Sequence, residues 1–259
     1  MDQSVRPGVL PLLLVGAAGG LLSGMFGIGG GTIIVPALVL WLGMQQKLAA
    51  GTSVAAILPT AVVGATSYTL QGHVDWLAAL CIAIGVVVGA QVGTLLLAKL
   101  PTGVIQWSFM AFLAVVIVSL WFVVPSRGDR LEIDLISGVL LVAVGFVTGI
   151  LSGVLGVGGG IIIVPVLMFF FGANDLQAKG TSLLMMIPGS VSATLGNVRR
   201  ANVDLRAAAW VGLAACVFVP LGTFVAGWVD PFWGNVLFSV YLAFILVQML
   251  VRRLRTNKA

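Results

Sequence analysis

Charge is what this chain has least of. Asp, Glu, Lys and Arg together make up 8% of its 259 residues, against 60% hydrophobic ones. Soluble domains carry about 25% charged residues, so no water-exposed surface can be assembled from this composition. The chain reads as an all-α polytopic membrane protein. Histidine is almost missing too. The single His73, with no cluster of Cys, Asp or Glu around it, excludes a histidine metal centre, and no Ser/His/Asp set can form around one loop histidine. The two cysteines, Cys81 and Cys216, fall inside apolar runs and read as small core residues. There is no Gly-x4-Gly-Lys-Ser/Thr phosphate loop, which removes ATP hydrolysis. No catalytic residue, cofactor or metal is expected. The reading also finds no carboxylate buried in mid-helix that could relay protons.

The net charge of +5 is not a nucleic-acid footprint, because the bases sit in short clusters between apolar runs, where topology signals belong. Arg6 and the apolar run after it imitate a secretory leader. That run, however, contains the first copy of a repeat and so belongs to the fold.

Glycine, in contrast, is abundant, at 34 residues. The stretch Gly20–Leu38 returns as Gly149–Leu167, identical at 13 of 19 positions. The same offset persists without a gap: Gly51-Thr52-Ser53 returns as Gly180-Thr181-Ser182, Pro59 as Pro188, Val74-Asp75 as Val203-Asp204, and Gly93-Thr94 as Gly222-Thr223. A period of half the chain signals duplication. Repeat 1 is placed at 1–125 with a Gly-rich break at 27–31. A polar linker follows at 126–134, and repeat 2 occupies 135–259 with its break at 156–160.

Each half reads as five helical segments. In the first half these are 9–26, a short piece at 31–43, then 50–70, a helix from Asp75 to about 98, and 104–124. The second half repeats them near 135–153, 159–172, 180–198, 205–228 and 232–251. The short pieces fall below the ~20 residues of an ordinary span. If they cross, each half has five crossings and the halves are inverted. If they are re-entrant, the count is four plus four and the halves run parallel. Either way, Lys and Arg divide ten to three in favour of the side that holds the C-terminus, which is therefore expected to be cytoplasmic. The five-plus-five inverted plan is favoured, because it brings equivalent broken helices together near the midplane, as in many secondary transporters.

Matched, glycine-interrupted short helices are the best sequence pointer to a transporter site. A helix that restarts after such a break points unsatisfied N–H groups and a positive dipole end back into it, which suits an anion without any buried cation. On this reading Gly29, Gly30, Gly31, Gly158, Gly159 and Gly160 line an anion site. The competing reading is that they only permit close helix crossing, and the two can coexist. Thr52, Ser53, Thr181 and Ser182 stand where the third segment of each half begins. They serve either as N-caps or as hydroxyl donors to an oxyanion. Asp75 and Asp204 read as helix N-caps. Asn197 is a lone polar residue with an interhelical role by default and a site role as the alternative. Pro59 and Pro188 are expected to kink their helices, and most tryptophans fall near helix ends, as interface anchors do.

The duplicated Gly-Leu-Leu-Ser-Gly-x-Phe-Gly-Ile-Gly-Gly-Gly…Val-Pro block, with Gly-Thr-Ser about twenty residues on, resembles the TauE/SafE family of sulfite exporters and toluenesulfonate-uptake permeases. The resemblance spans essentially the whole chain. The family motif falls on Gly24, Gly27, Gly29, Gly30, Gly31, Pro36, Gly51, Thr52 and Ser53, and on their counterparts in the second copy. The resemblance implies a multi-pass protein of the prokaryotic inner membrane that moves a small sulfur-containing anion such as sulfite or an organosulfonate. The expected function is secondary transport by alternating access between the repeats. The rivals are a passive anion channel and a non-transporting membrane assembly factor. The expected partners are the anion and the lipid bilayer, with no nucleic acid, and the small-residue surfaces permit a homodimer.

Overall fold

The computed structural model describes residues 8–122 and 134–256. Arg6, almost all of the expected linker at 126–134, and Lys258 lie outside the described residues. Among those described there is only helix and connection: α1 (Val9–Phe26), α2 (Gly31–Leu40), α3 (Gln46–Leu70), α4 (Trp76–Lys99), α5 (Thr102–Phe122), α6 (Leu135–Leu155), α7 (Gly160–Phe171), α8 (Asp175–Val198), α9 (Leu205–Trp228) and α10 (Pro231–Thr256). Six of them, α1, α3, α4, α6, α9 and α10, are long and apolar enough to cross a membrane. At 1.5 Å per residue, α2 and α7 reach only about 15 and 18 Å, well short of the ~30 Å hydrocarbon core.

Helix boundaries follow chemistry that both halves share. Asp75 and Asp204 cap α4 and α9 by accepting the N–H of Ala78 and Ala207 at 2.8 and 3.0 Å, as expected from sequence. Asp134 and Asn174 do the same for α6 and α8. The left-handed residues also come in pairs. Gly27, Gly29, Gly30 and Gly43 have counterparts in Gly156, Gly158, Gly159 and Gly172, all at positive φ, and Gly72 has Ala201, the one described non-glycine residue there, at φ 53°.

The third helix of each half begins earlier than the sequence reading placed it, at Gln46 and Asp175 rather than near 50 and 180. Gln45-Gln46-Lys47 is therefore the entry to a helix and not a turn. Thr52, Ser53, Thr181 and Ser182 lie in its second turn, so they are not N-caps. Helix initiation moves upstream because Gln45 and Asn174 already hold the extended backbone of a cap, and Asn174 Oδ1 accepts the N–H of Gln177. Asp175 is thereby drawn into the helix and buried.

Packing is dominated by small residues facing backbone. Gly16, Gly20 and Gly24 of α1 lie in turn against Val211, Ala215 and Val219 of α9, so the two helices run parallel. Gly85, Gly89 and Gly93 of α4 lie in the same way against the stretch Val142–Gly153 of α6. Such stripes let helices approach where no hydrophobic effect separates protein from lipid. Between these pairs, α3 and α8 cross antiparallel: Gly51 near the start of α3 meets Asn202 beyond the end of α8, and Gly180 near the start of α8 meets His73 beyond the end of α3. Six tryptophans near helix ends (Trp41, Trp76, Trp107, Trp121, Trp228 and Trp233) stay more than half exposed, the distribution of an aromatic belt.

Candidate functional site: two facing helix breaks

The chain leaves α1 through Gly27 (φ 68°), passes Ile28, and turns through Gly29 and Gly30 (φ 74° and 78°) into α2. The second break repeats this with Gly156, Gly158 and Gly159 at 76°, 81° and 89° around Val157. Glycine carries no Cβ penalty in this region, which is why it occupies these places in both halves. After the turn, α2 doubles back along α1. A Cβ built at Gly19 would stand 3.0 Å from Ile34 Cγ1, and one at Gly30 would stand 2.8 Å from the Gly19 carbonyl.

The two breaks meet. A Cβ at Gly31 would lie 2.5 Å from Val157 Cα and 2.6 Å from the Gly156 carbonyl, and Gly160 abuts the Gly27 carbonyl in the same way. Two serines hold this contact. Ser53 Oγ donates to Gly156 O and Ser182 Oγ donates to Gly27 O, each at 2.7 Å and each fully buried. Every one of these contacts joins one half to the other.

At the start of α2, the N–H groups of Ile33 and Ile34 both go to Gly30 O. At the start of α7, those of Ile162 and Ile163 both go to Gly159 O. The first N–H groups of each helix, at Gly31, Thr32, Gly160 and Ile161, point back into the break. Two positive helix ends thus converge. Beside them are three buried hydroxyls with no protein partner among the described residues: Ser23, Thr32 and Thr148. Thr148 Cγ2 lies 2.6 Å from where a Gly159 Cβ would be. No lysine or arginine lies in α1, α2, α6 or α7.

The space between Gly29 and Gly158 is filled by Ile57 of α3 and Met186 of α8. Both side chains touch both glycine positions, and both are essentially fully buried. They occupy equivalent places in the two copies of the repeat.

Of the residues expected at a site, Gly29, Gly30, Gly31, Gly158, Gly159, Gly160, Ser53 and Ser182 gather here. Thr52 and Thr181 do not point into the breaks. Their hydroxyls accept the backbone N–H of Asp204 and Asp75 at 2.9 Å, pinning the α8–α9 and α3–α4 connections. Asn197 lies about four helical turns beyond Ser182 on α8, roughly 22 Å along the axis, so it belongs to the far end of that helix. Sequence reasoning missed Ser23, Thr32, Thr148, Ile57 and Met186. The repeat could have found the last pair, since each stands just over one turn beyond the Gly-Thr-Ser triplet of its own half. It also missed Tyr68, whose buried hydroxyl donates to Gly24 O at 2.7 Å and ties α3 to the end of α1.

Membrane-length apolar helices wrapped around a pair of facing, glycine-built helix breaks define a polytopic membrane protein of the broken-helix type. The sequence matches the family described as Sulfite exporter TauE/SafE over residues 2–120 and 141–259, and the chain belongs to that family. It is 32% identical over 195 residues to a probable membrane transporter protein of Haemophilus influenzae, covering 71% of this chain and 73% of that one. A second probable membrane transporter protein from the same organism is 26% identical over 223 residues, 82% of each chain. Probable membrane transporter protein YdhB of Bacillus subtilis is 26% identical over 188 residues, 71% of this chain and 77% of its own. No solved structure matches.

Proposed function

We propose that this protein is a secondary transporter of a small sulfur-containing anion, sulfite or an organosulfonate, working by alternating access between two inverted five-helix repeats. The observation that carries the reading is the convergence of two helix N-termini, from equivalent places in the two halves, on one buried point beside hydroxyls that have no protein partner among the described residues. Preorganised N–H groups and hydroxyls suit an oxyanion, and the helices that form the breaks contribute no lysine or arginine of their own. The antiparallel crossing of α3 and α8 and the fold-back of α2 along α1 support the inverted arrangement. The closed packing of Ile57 and Met186 between the breaks favours a carrier that must rearrange over an open channel. The lysine and arginine distribution supports a cytoplasmic C-terminus in a prokaryotic inner membrane.

The test is a thermal-shift panel on detergent-purified protein with sulfite, sulfate, thiosulfate, sulfoacetate, toluenesulfonate and chloride at matched ionic strength. Anion counterflow in vesicles is measured beside it. A ligand at about 100 times its Kd adds about 2.7 kcal/mol of stability. The expected result is a selective rise with one sulfur oxyanion and saturable counterflow of the same anion. A flat panel with no counterflow would refute the reading.

A further inference from the structure

The breaks obey the repeat, but the two ends of the α3–α8 pair do not. Overlaying the two copies pairs Asn174 with Gln45, Asp175 with Gln46, Tyr68 with Asn197 and Gln71 with Arg200. At the first of these ends the polar groups are used. Asn174 caps α8 by accepting the N–H of Gln177, Asp175 pairs with Lys179, and the Tyr68 hydroxyl donates to Gly24 O.

At the other end the equivalent residues do none of this. Gln45 makes no side-chain cap, so the first N–H groups of α3 lack the side-chain acceptor that α8 has. Both side-chain polar atoms of Gln46 and of Asn197 have no protein partner among the described residues, although the two residues are only 2% and 0% exposed. Thr194 Oγ1 and Asn202 Nδ2 are buried in the same condition.

These groups lie on facing sides of the two helices. Val54 of α3 and Ala193 of α8 pack together in the core. Because the helices are antiparallel, Ala50 and Gln46, one and two turns before Val54, run alongside Asn197, one turn beyond Ala193. Asn202 is held there as well, since its N–H donates to Asn197 O at 3.0 Å and its own carbonyl lies against Gly51. The cluster adjoins the second break, because a Cβ at Gly156 would stand 2.5 Å from Ala50 Cα.

The surroundings are positive. Arg200, half-buried and three residues beyond Asn197, donates to Thr94 Oγ1 at 3.2 Å and to Gly196 O. No carboxylate pairs with it among the described residues. Asp204, the nearest carboxylate along the chain, caps α9 through Oδ1. The uncapped start of α3 adds the positive end of a helix dipole. Buried amides take a partner. Water would satisfy these amides, but it would leave the guanidinium without a counter-charge.

We propose that Gln46, Asn197 and Asn202, with Arg200 and the uncapped start of α3, bind a small oxyanion beside the second break, and that the end carrying Asp175 does not. The amide groups donate N–H bonds to the anion's oxygens, each turning its nitrogen inward by a half rotation of the terminal amide. The guanidinium supplies the charge, and no covalent bond changes. The site stands on this geometry alone. Its use as a holding place for the anion on its way to or from the breaks rests on the function proposed above.

The test is hydrogen–deuterium exchange on the purified full chain, with inorganic sulfite as probe against chloride at matched ionic strength. In the wild type, sulfite is expected to slow exchange in peptides over 46–53 and 194–204 by roughly fivefold or more. Gln46→Glu installs a carboxylate of the same shape, the charge that the other half carries at Asp175, and should abolish that protection. Should it not fold, Arg200→Gln, which installs the residue of the other half, should raise the sulfite concentration for half-protection by at least about tenfold. No protection in the wild type, protection confined to the breaks at 27–34 and 156–163, or wild-type protection in the folded variant would overturn the site. Anion counterflow run in parallel separates the two readings. Protection at these peptides without counterflow would refute the transporter and keep the site, whereas counterflow without that protection would refute the site alone.

Discussion

At the breaks, the two halves use the same residues for the same purpose. Gly27, Gly29 and Gly30 have the backbone of Gly156, Gly158 and Gly159, and Ser53 and Ser182 make mirror bonds of equal length. At the ends of α3 and α8 the equivalent positions differ in residue type: Tyr68, His73, Asp175 and Lys179 at one end correspond to Asn197, Asn202, Gln46 and Ala50 at the other. Duplication leaves two identical copies, and what stays alike reports what both halves must do. Both must stop a helix, restart it and touch the other. Whatever diverges is free to give the two ends of the molecule different behaviour.

The largest effect that can break this comparison is expected at the ion pair. Asp175→Asn breaks the buried ion pair with Lys179 and should cost about 3–5 kcal/mol. Gln46→Leu at the equivalent place removes only unpaired amide atoms and should cost less than about 1 kcal/mol. Thermal or denaturant unfolding in one detergent compares the two, and equal losses would mean the ends are energetically alike.

Next come Gly30→Ala and Gly159→Ala. Each places a Cβ at positive φ, costing about 1–2 kcal/mol. Each also crowds a close neighbour, the Gly19 carbonyl for Gly30 and Thr148 Cγ2 for Gly159, adding about 1–3 kcal/mol of overpacking. Gly30 meets backbone and Gly159 a methyl group, so the loss at Gly30 should be the greater. The reverse order of midpoints would show that the two breaks do not share one geometry.

Ser53→Ala and Ser182→Ala each orphan a buried glycine carbonyl, and each should lose about 1–3 kcal/mol. Their losses should agree with each other, because the bonds they remove are equivalent. A clear inequality would mean that one break is held by something further.

The smallest effect tests the one left-handed residue, among those described, that is not glycine. Ala201→Gly relieves a φ of 53° and should raise stability by about 1 kcal/mol, while Gly72→Ala at the counterpart should lower it by a similar amount. The same unfolding series checks both.

Much of this was legible in the sequence, because the repeat reports itself. The break at 27–31, the N-caps Asp75 and Asp204, and the starts of α1, α4 and α9 follow from glycine, aspartate and apolar run length, all of which act over a few neighbouring residues. The starts of α3 and α8 were less legible. Gly51 and Gly180 look like helix boundaries, but inside these helices they let the Asn202 and His73 carbonyls approach. That requirement comes from the opposite half of the chain. Thr52 and Thr181 are not N-caps for the same reason, since their hydroxyl oxygens accept backbone N–H groups from the connection of the opposite half. Asp175, which the sequence reading left between two helices, is instead the buried first residue of α8, because that helix begins more than a turn earlier than expected.

By itself, then, the sequence determined the membrane environment, the duplication and the places where the helices break. Charge content, period and glycine conformation are properties of the chain alone. Only the tertiary structure decided that the two breaks face each other, that Ile57 and Met186 close the space between them, and that the buried charge sits at one end. The first two are contacts between halves, and a contact between segments half a chain apart exists only once the helices have packed; the third is a local pair in α8 whose burial comes from that same packing.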